Sequence, residues 1–416
     1  MLAFVLARGA LFAAPILLAN MVPLDIYGRI EFAQSVASVL TVAIGLGLPF
    51  TVPLILLRPE VNQRWDTLLF LMLTISALIA ATLLVMAAVT GSVLDRLTLI
   101  PLFTLALLLQ GFWAMVLKSQ NRTTFAVFAE SGFWLAILAG VAVALLAGDV
   151  WQIMAAAAFA YAAALFTLTA LRFARQHTAF TMADLRANLR LGLPLVATTI
   201  LSTLLLAIGR VIVGTFGSDL SIATYAILFR ATSVALVVHQ LLTIAYYQRL
   251  FLWEESVLRR RAPVFVLGVA GFVLGFHLLA DPLGWMLGPQ FARVWAEYRL
   301  EGALLLTQTI LWSGIAWNDF LTTRLHIALQ AAKWATAFLA LGVPALLALA
   351  LAQDASQLSA LLRITILGHM ALLGGYYLVQ CAVIRAQGHD FNLLWGATIG
   401  SFAALLGLAF LSSVRL

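Results

Sequence analysis

The chain has 416 residues, of which 63% are hydrophobic and only 10% are charged, and its mean hydropathy is +1.05. Soluble domains carry about 25% charged residues, so this composition excludes a soluble globular fold. The net charge of +7 is better explained by loops that contact anionic lipid headgroups than by a nucleic-acid site. The single cysteine, Cys381, excludes an intramolecular disulfide and argues against a thiol-based metal site.

Apolar runs of about 20 residues recur along the whole sequence, and each can span a hydrocarbon layer about 30 Å thick. Uninterrupted runs of this length predict helices, because a spanning segment must satisfy its own backbone groups. The first run is not typical of a signal peptide, since no basic segment precedes it. We predict thirteen spans, near residues 1–23, 31–57, 67–90, 97–117, 124–147, 151–173, 191–216, 220–247, 262–287, 298–323, 329–352, 357–384 and 391–412.

Lysine and arginine residues are unevenly distributed among the loops between these runs. The even-numbered loops contain fifteen of them, whereas the odd-numbered loops and the C-terminal tail contain five. The positive-inside rule therefore predicts that the N-terminus and the even-numbered loops lie in the cytoplasm. No phosphate-binding loop is present in the sequence, so direct ATP hydrolysis is not expected.

The longest polar interruption in the first two-thirds of the chain covers residues 172–190. Thr181 and Asp184 have the spacing of a capping box. Leu185 and Leu189 alternate with polar residues, which predicts a short amphipathic helix on the cytoplasmic membrane surface. This segment divides the chain into an N-terminal lobe of six spans at 1–173, a linker at 174–190, a C-terminal lobe at 191–384 and an additional helix at 385–416.

A short repeat relates the two predicted lobes. Tyr27 is followed six residues later by the sequence AQSVA at 33–37, and 198 residues further on Tyr225 is followed by ATSVA at 231–235. Both copies lie in the second apolar run of their lobe. Related halves are typical of membrane transporters, and an even number of spans per half predicts a parallel repeat about an axis along the membrane normal.

A polar stripe in the second span is the first part of the candidate site. Its members have helical spacing and share one face, and they are Glu31, Gln34, Ser35, Ser38 and Thr41. Ionisable groups within lipid usually face a cavity or each other, so we interpret the stripe as lining a cavity. A helix–helix interface is the alternative, because serine and threonine also serve as small packing residues.

Arginines within the spans are the second part of the candidate site. Arg230, with Ser233 close by, lies deep in the eighth span and has the strongest claim to be a functional cation. Arg210 lies near the outer end of the seventh span. Arg8, in the first span, either lines a cavity or extends to the cytoplasmic headgroups. A structural role for Arg230 would be an ion pair with a carboxylate such as Glu31, Glu130 or Glu301.

The sequence also supports predictions about other polar residues and about segments rich in glycine and proline. Glu301, Gln308 and Asp319 share one face of the tenth span, because 7 and 18 residues are close to whole helical turns, and a packed face and a relay are both open. The histidines His239 and His369 are interpreted as hydrogen-bonded packing residues. Helix bends are expected at the segments 45–49 (with Pro53), 192–194 and 374–375, where glycine or proline residues cluster.

These residues resemble a known family. Tyr27-Gly28 after the first span, a helix rich in small residues and then Gly45-Leu46-Gly47-Leu48-Pro49 look like the start of the Wzx-type lipid-linked oligosaccharide flippases of the MATE/MOP exporter superfamily. The second lobe is similar, with Leu191-Gly192-Leu193-Pro194, then Gly209-Arg210, then Tyr225 and Arg230. Family members often have an Asp-Arg pair where this chain has Gly209-Arg210, so the acid is missing here.

The resemblance implies an all-α integral membrane fold, a polytopic bundle of about 12–14 transmembrane helices in two pseudo-symmetric six-helix lobes. It implies a cleft lined by the first, second, seventh and eighth helices, which carry Arg8, Glu31, Gln34, Ser35, Ser38, Arg210, Arg230 and Ser233 here. It also implies a bacterial inner-membrane location, no cofactor or metal ion, and glycosyltransferases and a polysaccharide polymerase as partners.

The function implied by the resemblance is that of a flippase and not of an enzyme. A polyprenyl-diphosphate-linked oligosaccharide would cross from the cytoplasmic to the outer leaflet by alternating access, for the synthesis of lipopolysaccharide O-antigen or exopolysaccharide. Arginines in the cleft would recognise the diphosphate by charge-assisted hydrogen bonds. The alternatives are an ion-coupled small-molecule or drug antiporter of the same superfamily and a membrane-embedded polysaccharide polymerase or ligase.

Overall fold

The computed structural model describes residues 2–57, 64–92, 95–147, 150–176, 181–325, 327–352 and 358–414. Every regular element in these ranges is an α-helix, as the apolar runs predict. The helices are α1 (Leu2–Met21), α2 (Leu24–Ile44), α3 (Leu48–Leu57), α4 (Trp65–Thr90), α5 (Arg96–Ser119), α6 (Thr123–Ala147), α7 (Val150–Ala174), α8 (Met182–Phe216), α9 (Asp219–Leu252), α10 (Glu255–Leu278), α11 (Ala280–Leu287), α12 (Pro289–Glu297), α13 (Arg299–Arg324), α14 (Ala328–Leu351), α15 (Leu358–Ala386) and α16 (Asn392–Val414).

Ten of these helices are long and apolar enough to cross a membrane, judged over the described residues. They are α4 to α10 and α14 to α16. The helices α2 and α13 fall outside this set because polar residues interrupt their apolar sequence. The structure therefore confirms a polytopic, all-helical chain, and the thirteen predicted runs each correspond to one helix or to two consecutive helices.

The second predicted run is broken where its glycines indicate a bend. Helix α2 ends at Ile44, Leu46 and Gly47 adopt positive φ angles of 50° and 72°, and α3 begins at Leu48. A methyl group on Gly47 would lie 2.2 Å from the carbonyl oxygen of Gly192 in α8. The two backbones cross so closely that neither glycine has room for a side chain, which explains why both segments carry glycine.

Two other predictions about element boundaries need correction. The ninth run does not continue to residue 287, because α10 ends at Leu278 and α11 begins at Ala280. Helix α12 follows after Gly288. The amphipathic linker is also not a separate helix, since it runs without interruption into the apolar part of α8. Its predicted capping box is confirmed.

The capping box at the start of α8 is formed by Thr181 and Asp184. The Asp184 carboxylate accepts hydrogen bonds from the Thr181 backbone N–H at 2.8 Å and from the Thr181 hydroxyl at 2.9 Å. The backbone N–H of Asp184 donates to the Thr181 hydroxyl at 3.3 Å. The hydrogen bonds from Thr181 hold the pKa of Asp184 below its ordinary value, because they stabilise the ionised carboxylate.

The chain forms two compact units, Met1–Ala207 and Ile208–Leu416. Each unit is built around one central helix. In the first unit α5 packs against α2, α3, α4, α6 and α7, and it is the most deeply buried of the ten candidate spans. In the second unit α13 packs against α9, α10, α15 and α16 and is almost wholly buried. The boundaries predicted for the lobes, the linker and the additional helix stay a prediction.

The cores of the two units differ in what their central helices carry. In the first unit, Gln110 of α5 binds two backbone groups and one side chain. Its amide donates to the backbone carbonyl of Glu130 at 2.8 Å, and its side-chain oxygen accepts from the Phe133 backbone N–H and the Tyr161 hydroxyl. In the second unit, three residues of α13 bind three of α15: Glu301 accepts from Arg363 at 2.7 Å, Gln308 lies 3.2 Å from His369 Nδ1, and Asp319 accepts from Gln380 at 2.6 Å.

The hydrogen bonds between α13 and α15 decide between the alternatives that the sequence left open. The predicted shared face of Glu301, Gln308 and Asp319 is confirmed, and it is a packed face against α15. Arg363 and His369 bind different residues of α13. His239 is also hydrogen-bonded, with its Nδ1 2.9 Å from the hydroxyl of Ser313.

Candidate functional site

The candidate residues fall in both compact units, and each unit is described separately. In the first unit Glu31 is completely buried in α2. Its Oε1 atom accepts a hydrogen bond from the hydroxyl of Tyr27, one turn earlier, at 3.0 Å. A carboxylate in such a position retains its charge only when donors or cations surround it. The repeat therefore places its tyrosine where it supports a buried acid.

The hydroxyl groups of the polar stripe bind backbone carbonyls. Ser35 donates to the carbonyl of Glu31 at 2.6 Å, and Ser38 donates to the carbonyl of Gln34 at 2.8 Å. Thr41 lies 3.5 Å from the carbonyl of Thr104 on α5. Ser35 is buried, whereas Gln34, Ser38 and Thr41 are partly exposed. The stripe therefore contains a packed edge, formed by Glu31 and Ser35, and a partly open edge.

Sequence reasoning missed one cation near this stripe. The guanidinium of Arg96, the first residue of α5, lies over the ring of Phe32, with its carbon 3.4 Å from the ring centroid. Arg96 was counted among the loop residues because it precedes an apolar run. Its position on Phe32, next to Glu31 in the sequence, brings a positive charge to the same end of α2.

The second unit contains a buried cation at the corresponding repeat. Arg210 of α8 is 9% exposed, and its guanidinium carbon lies 4.8 Å from the centroid of the Phe229 ring on α9. Phe229 in turn stacks on Tyr225, with centroids 6.3 Å apart and an interplanar angle of 11°. The guanidinium is thus held on an aromatic stack, where a cation–π contact stabilises it in a desolvated position.

The packing of Tyr225 explains why position 209 carries a glycine. A methyl group on Gly209 would lie 2.0 Å from the hydroxyl oxygen of Tyr225 and 2.7 Å from its Cζ atom. The position that carries an acid in the resembling family is therefore occupied here by a tyrosine from α9. The close approach of Tyr225 to Gly209 was not visible in the sequence alone.

Arg230 and Ser233 follow on α9. Arg230 is partly exposed, and its carbonyl accepts a hydrogen bond from the hydroxyl of Ser233 at 2.6 Å. Successive residues on a helix point about 100° apart, so Arg230 leaves α9 in a different direction from Phe229. Two of the carboxylates considered as its partners are engaged elsewhere, since Glu130 pairs with Lys118 and Glu301 pairs with Arg363.

The remaining candidate, Arg8, belongs to α1, and its side chain lies outside the described residues. Within the described part of the chain, no group of three or more His, Cys, Asp or Glu side chains is arranged to hold a metal ion. The other candidates offer ionic and hydrogen-bonding groups: a buried carboxylate on α2, a buried guanidinium on α8, and a partly exposed guanidinium on α9.

Comparisons with known proteins identify the fold. No protein-family model matches the sequence, and no curated protein matches it. Among solved structures, an inward-facing multidrug resistance MATE family transporter of the MOP superfamily matches with a TM-score of 0.54 and 14% identity, over 92% of this chain and 95% of the other. A MATE protein in complex with MaD3S matches with a TM-score of 0.50 and 14% identity, over 92% and 94%.

A third similar structure is the lipid II flippase MurJ in an inward closed conformation, with a TM-score of 0.48 and 11% identity, over 99% of this chain and all of the other. Its similarity is too low to carry an argument. The first two matches extend over nearly the whole of both chains. This chain therefore has the all-helical fold of MATE transporters, and at 14% identity the likeness concerns the fold alone.

Proposed function

We propose that this chain is a membrane transporter that moves a polyprenyl-diphosphate-linked oligosaccharide from the cytoplasmic to the outer leaflet for surface polysaccharide synthesis. The observation that carries the proposal is the buried Arg210 on its aromatic stack. Arginines within membrane spans commonly mark the path of a substrate or an ion. A diphosphate offers several oxygen acceptors in the geometry that guanidinium donors prefer.

The two arginines would have different tasks in this mechanism. Arg210 is fixed by Phe229 and Tyr225, so it provides a pre-organised positive charge. Arg230 is partly exposed, so a diphosphate that moves along the cleft could reach its guanidinium. No bond is made or broken, and the protein contributes only binding and a change of access.

An ion-coupled small-molecule antiporter is the second candidate. The observation that favours it is Glu31, a completely buried carboxylate in a chain with the fold of a multidrug transporter. A cationic substrate or a coupling cation would be attracted to that carboxylate rather than to Arg210. A polymerase or ligase has less support, because such enzymes commonly need a substantial extracytoplasmic loop for catalysis. The segment between α10 and α13 forms only the short helices α11 and α12.

Depletion of the protein in its own host tests the proposal. We expect polyprenyl-diphosphate oligosaccharide to accumulate in the membrane lipid fraction, measured by mass spectrometry, together with loss of a surface glycan. Complementation with Arg210→Ala, Arg230→Ala and the double variant should fail to restore export at normal protein levels. Arg293→Ala, an exposed arginine on α12, is the matched control and should restore it.

Two outcomes would overturn the proposal. Normal levels of glycan lipids and an intact surface after depletion would exclude the flippase and favour the antiporter. Full export by the double arginine variant, at a protein level equal to that of the control, would show that the cationic mechanism is wrong.

A further inference from the structure

Helices α11 and α12 form a compact hairpin between the membrane helices α10 and α13. The turn between them is at Gly288, whose φ angle is 108°. In α11 the buried residues are Ala280 and Gly284, and a methyl group on Gly284 would lie 3.4 Å from the ring of Phe291 in α12. The two helices therefore pack closely against each other.

The hairpin is fastened to its neighbours by an aromatic cluster and an ion pair. The ring of Trp295 lies 5.6 Å from that of Phe291 and 6.1 Å from that of Phe276 at the end of α10. The ion pair joins Arg299 of α13 to Asp281 of α11 at 2.6 Å. Because both helices have such contacts, the hairpin holds its outer surface in a defined position.

That outer surface is strongly apolar on α11. Trp285 is 83% exposed and Met286 is 74% exposed. Leu278 and Leu279, at the junction of α10 and α11, are 70% and 56% exposed. Four large apolar side chains within nine residues form a patch of the kind that soluble surfaces avoid, so the patch requires an occupant.

The identity of the occupant follows from the helix that leads to the patch. Exposed residues of α10 form an apolar stripe with helical spacing, beginning just after Arg261 and ending at the patch: Val264, Leu267, Leu274 and Leu278. At 1.5 Å per residue, the rise from Arg261 to Leu278 is about 26 Å, close to the thickness of a hydrocarbon layer. The stripe therefore faces lipid, with basic residues at one boundary and α11 at the other.

The opposite face of the hairpin has a different character. On α12 the exposed residues include Arg293 and Glu297, and Arg293 donates to Gln290 at 2.6 Å. The hairpin thus exposes apolar side chains at the C-terminal end of α11, whereas its exposed charges lie on α12 and at Asp281, at the start of α11. Such a division is expected where a protein crosses from headgroups into water, and tryptophan is enriched at that boundary.

We propose that the α11–α12 hairpin is a lipid-interface anchor. Trp285 and Met286 insert into the boundary between headgroups and acyl chains of the leaflet opposite Arg260 and Arg261, and α12 remains in water. The lipid surface is the partner of this patch, and no second protein is needed to cover it. The anchor fixes the level of α10 and α13 in the bilayer, and it is independent of the substrate.

Site-directed spin labelling in lipid nanodiscs tests this proposal with the full chain. Cysteine variants Trp285→Cys and Met286→Cys report on the patch, Leu267→Cys in the middle of the α10 stripe provides a reference in the hydrocarbon, and Arg293→Cys provides the matched control on the other helix. The native thiol, Cys381, is buried, so the unmodified chain is the labelling blank. Accessibility is measured by power-saturation electron paramagnetic resonance, with oxygen and with a water-soluble nickel chelate.

We expect labels at 285 and 286 to be accessible to oxygen and protected from the nickel chelate, and the label at 293 to show the reverse. Two variants at the patch keep the test decisive if one of them fails to fold. Equal nickel accessibility at 285, 286 and 293 would overturn the proposal, because the patch would then face water. Protection of 285 and 286 from both reagents would also overturn it, because a protein partner would then cover the patch.

Discussion

The tyrosine of the repeat makes a different contact in each compact unit. In the first unit Tyr27 is buried and donates a hydrogen bond to Glu31. In the second unit Tyr225 is equally buried, but the residue four positions later is Phe229, and the two rings stack. In both copies a serine eight residues after the tyrosine, Ser35 or Ser233, donates to a backbone carbonyl of its own helix.

The repeated tyrosine thus supports a carboxylate in the first unit and a guanidinium in the second. Where the residue four positions after the tyrosine is an acid, the hydroxyl supports a buried carboxylate. Where it is a phenylalanine, the aromatic stack supports the guanidinium of Arg210. A repeat preserved in sequence thus provides an anionic position in one unit and a cationic position in the other.

The helices that carry the two copies also end differently. Helix α2 ends at Ile44, seven residues after its copy of the repeat, and α3 follows the break. Helix α9 continues to Leu252 without a break. The break after α2 lies at the positive φ angles of Leu46 and Gly47, where Gly47 crosses Gly192 closely.

The largest expected effect is therefore that of Gly47→Ala. The new methyl group would lie 2.2 Å from the Gly192 carbonyl oxygen, and the φ angle of 72° is unfavourable for alanine. We expect loss of folded protein, measured as the monodisperse peak in detergent size-exclusion chromatography. Gly91→Ala is the matched control, with a φ angle of 68° and no atom within 4 Å of the new methyl group. It should cost only about 1–2 kcal/mol. Similar losses of folded protein in Gly47→Ala and Gly91→Ala would show that the positive φ angle, and not the contact with Gly192, causes the loss.

A smaller effect is expected for Gly209→Ala in the second unit. Tyr225 would have to move away from a methyl group 2.0 Å from its hydroxyl, which would disturb the stack beneath Arg210. Overpacking of this kind costs about 1–3 kcal/mol, seen as a lower apparent Tm in detergent. Gly271→Ala, in α10 with open space around it, should be neutral or stabilising. An unchanged Tm for Gly209→Ala would refute the steric account of the missing acid.

The same substitution in both copies gives a sharper test. Tyr27→Phe removes a donor from a buried carboxylate and should lower stability by about 1–3 kcal/mol. Tyr225→Phe should cost less than about 1 kcal/mol, because its hydroxyl has no hydrogen-bond partner among the residues that the structure describes. Thermal unfolding of the two variants in the same detergent measures the difference. Equal Tm shifts would contradict the comparison.

The smallest effect concerns the capping box at the start of α8. The pKa of Asp184 is lowered in the folded chain, so its stabilising contribution is present above the unfolded pKa of about 3.9 and is lost as the pH falls through the folded value. Asp184→Ala should therefore speed hydrogen exchange of the first turn of α8 at neutral pH, by less than about tenfold. Exchange in α15 should be unchanged, and an identical rate in the first turn would show that the cap contributes nothing.

The fold was largely predictable from the sequence, because a segment that crosses lipid must satisfy its backbone hydrogen bonds within a helix or a closed barrel. Length and hydropathy suffice to place a spanning helix, and the glycines at 45–47 correctly indicated the break after α2. The box at Thr181 was recognisable because its partners are three residues apart. The sequence indicated the amphipathic start of α8 but not its continuity with the following span. The α11–α12 hairpin was not predictable, because α11 is apolar enough to resemble the end of the ninth span.

The candidate site was less predictable because its contacts join residues that are distant in sequence. Nothing near Gly209 indicates that Tyr225 fills its space, and nothing near Phe32 indicates that Arg96 lies on its ring. The pairing of Glu301 with Arg363 likewise depends on two helices that are separated by α14 in the sequence. Helical spacing identified which polar residues share a face, but only the fold shows what each face meets.

The most direct test of the central claim is transport by the purified protein in proteoliposomes. The measured quantity is the rate at which a fluorescent polyprenyl-diphosphate saccharide crosses the bilayer, with a cationic dye as the competing substrate. We predict movement of the diphosphate lipid by the unmodified chain, a loss of at least about tenfold in Arg210→Ala, and partial recovery in Arg210→Lys. Transport of the dye alone, or an unchanged rate in Arg210→Ala, would contradict the account.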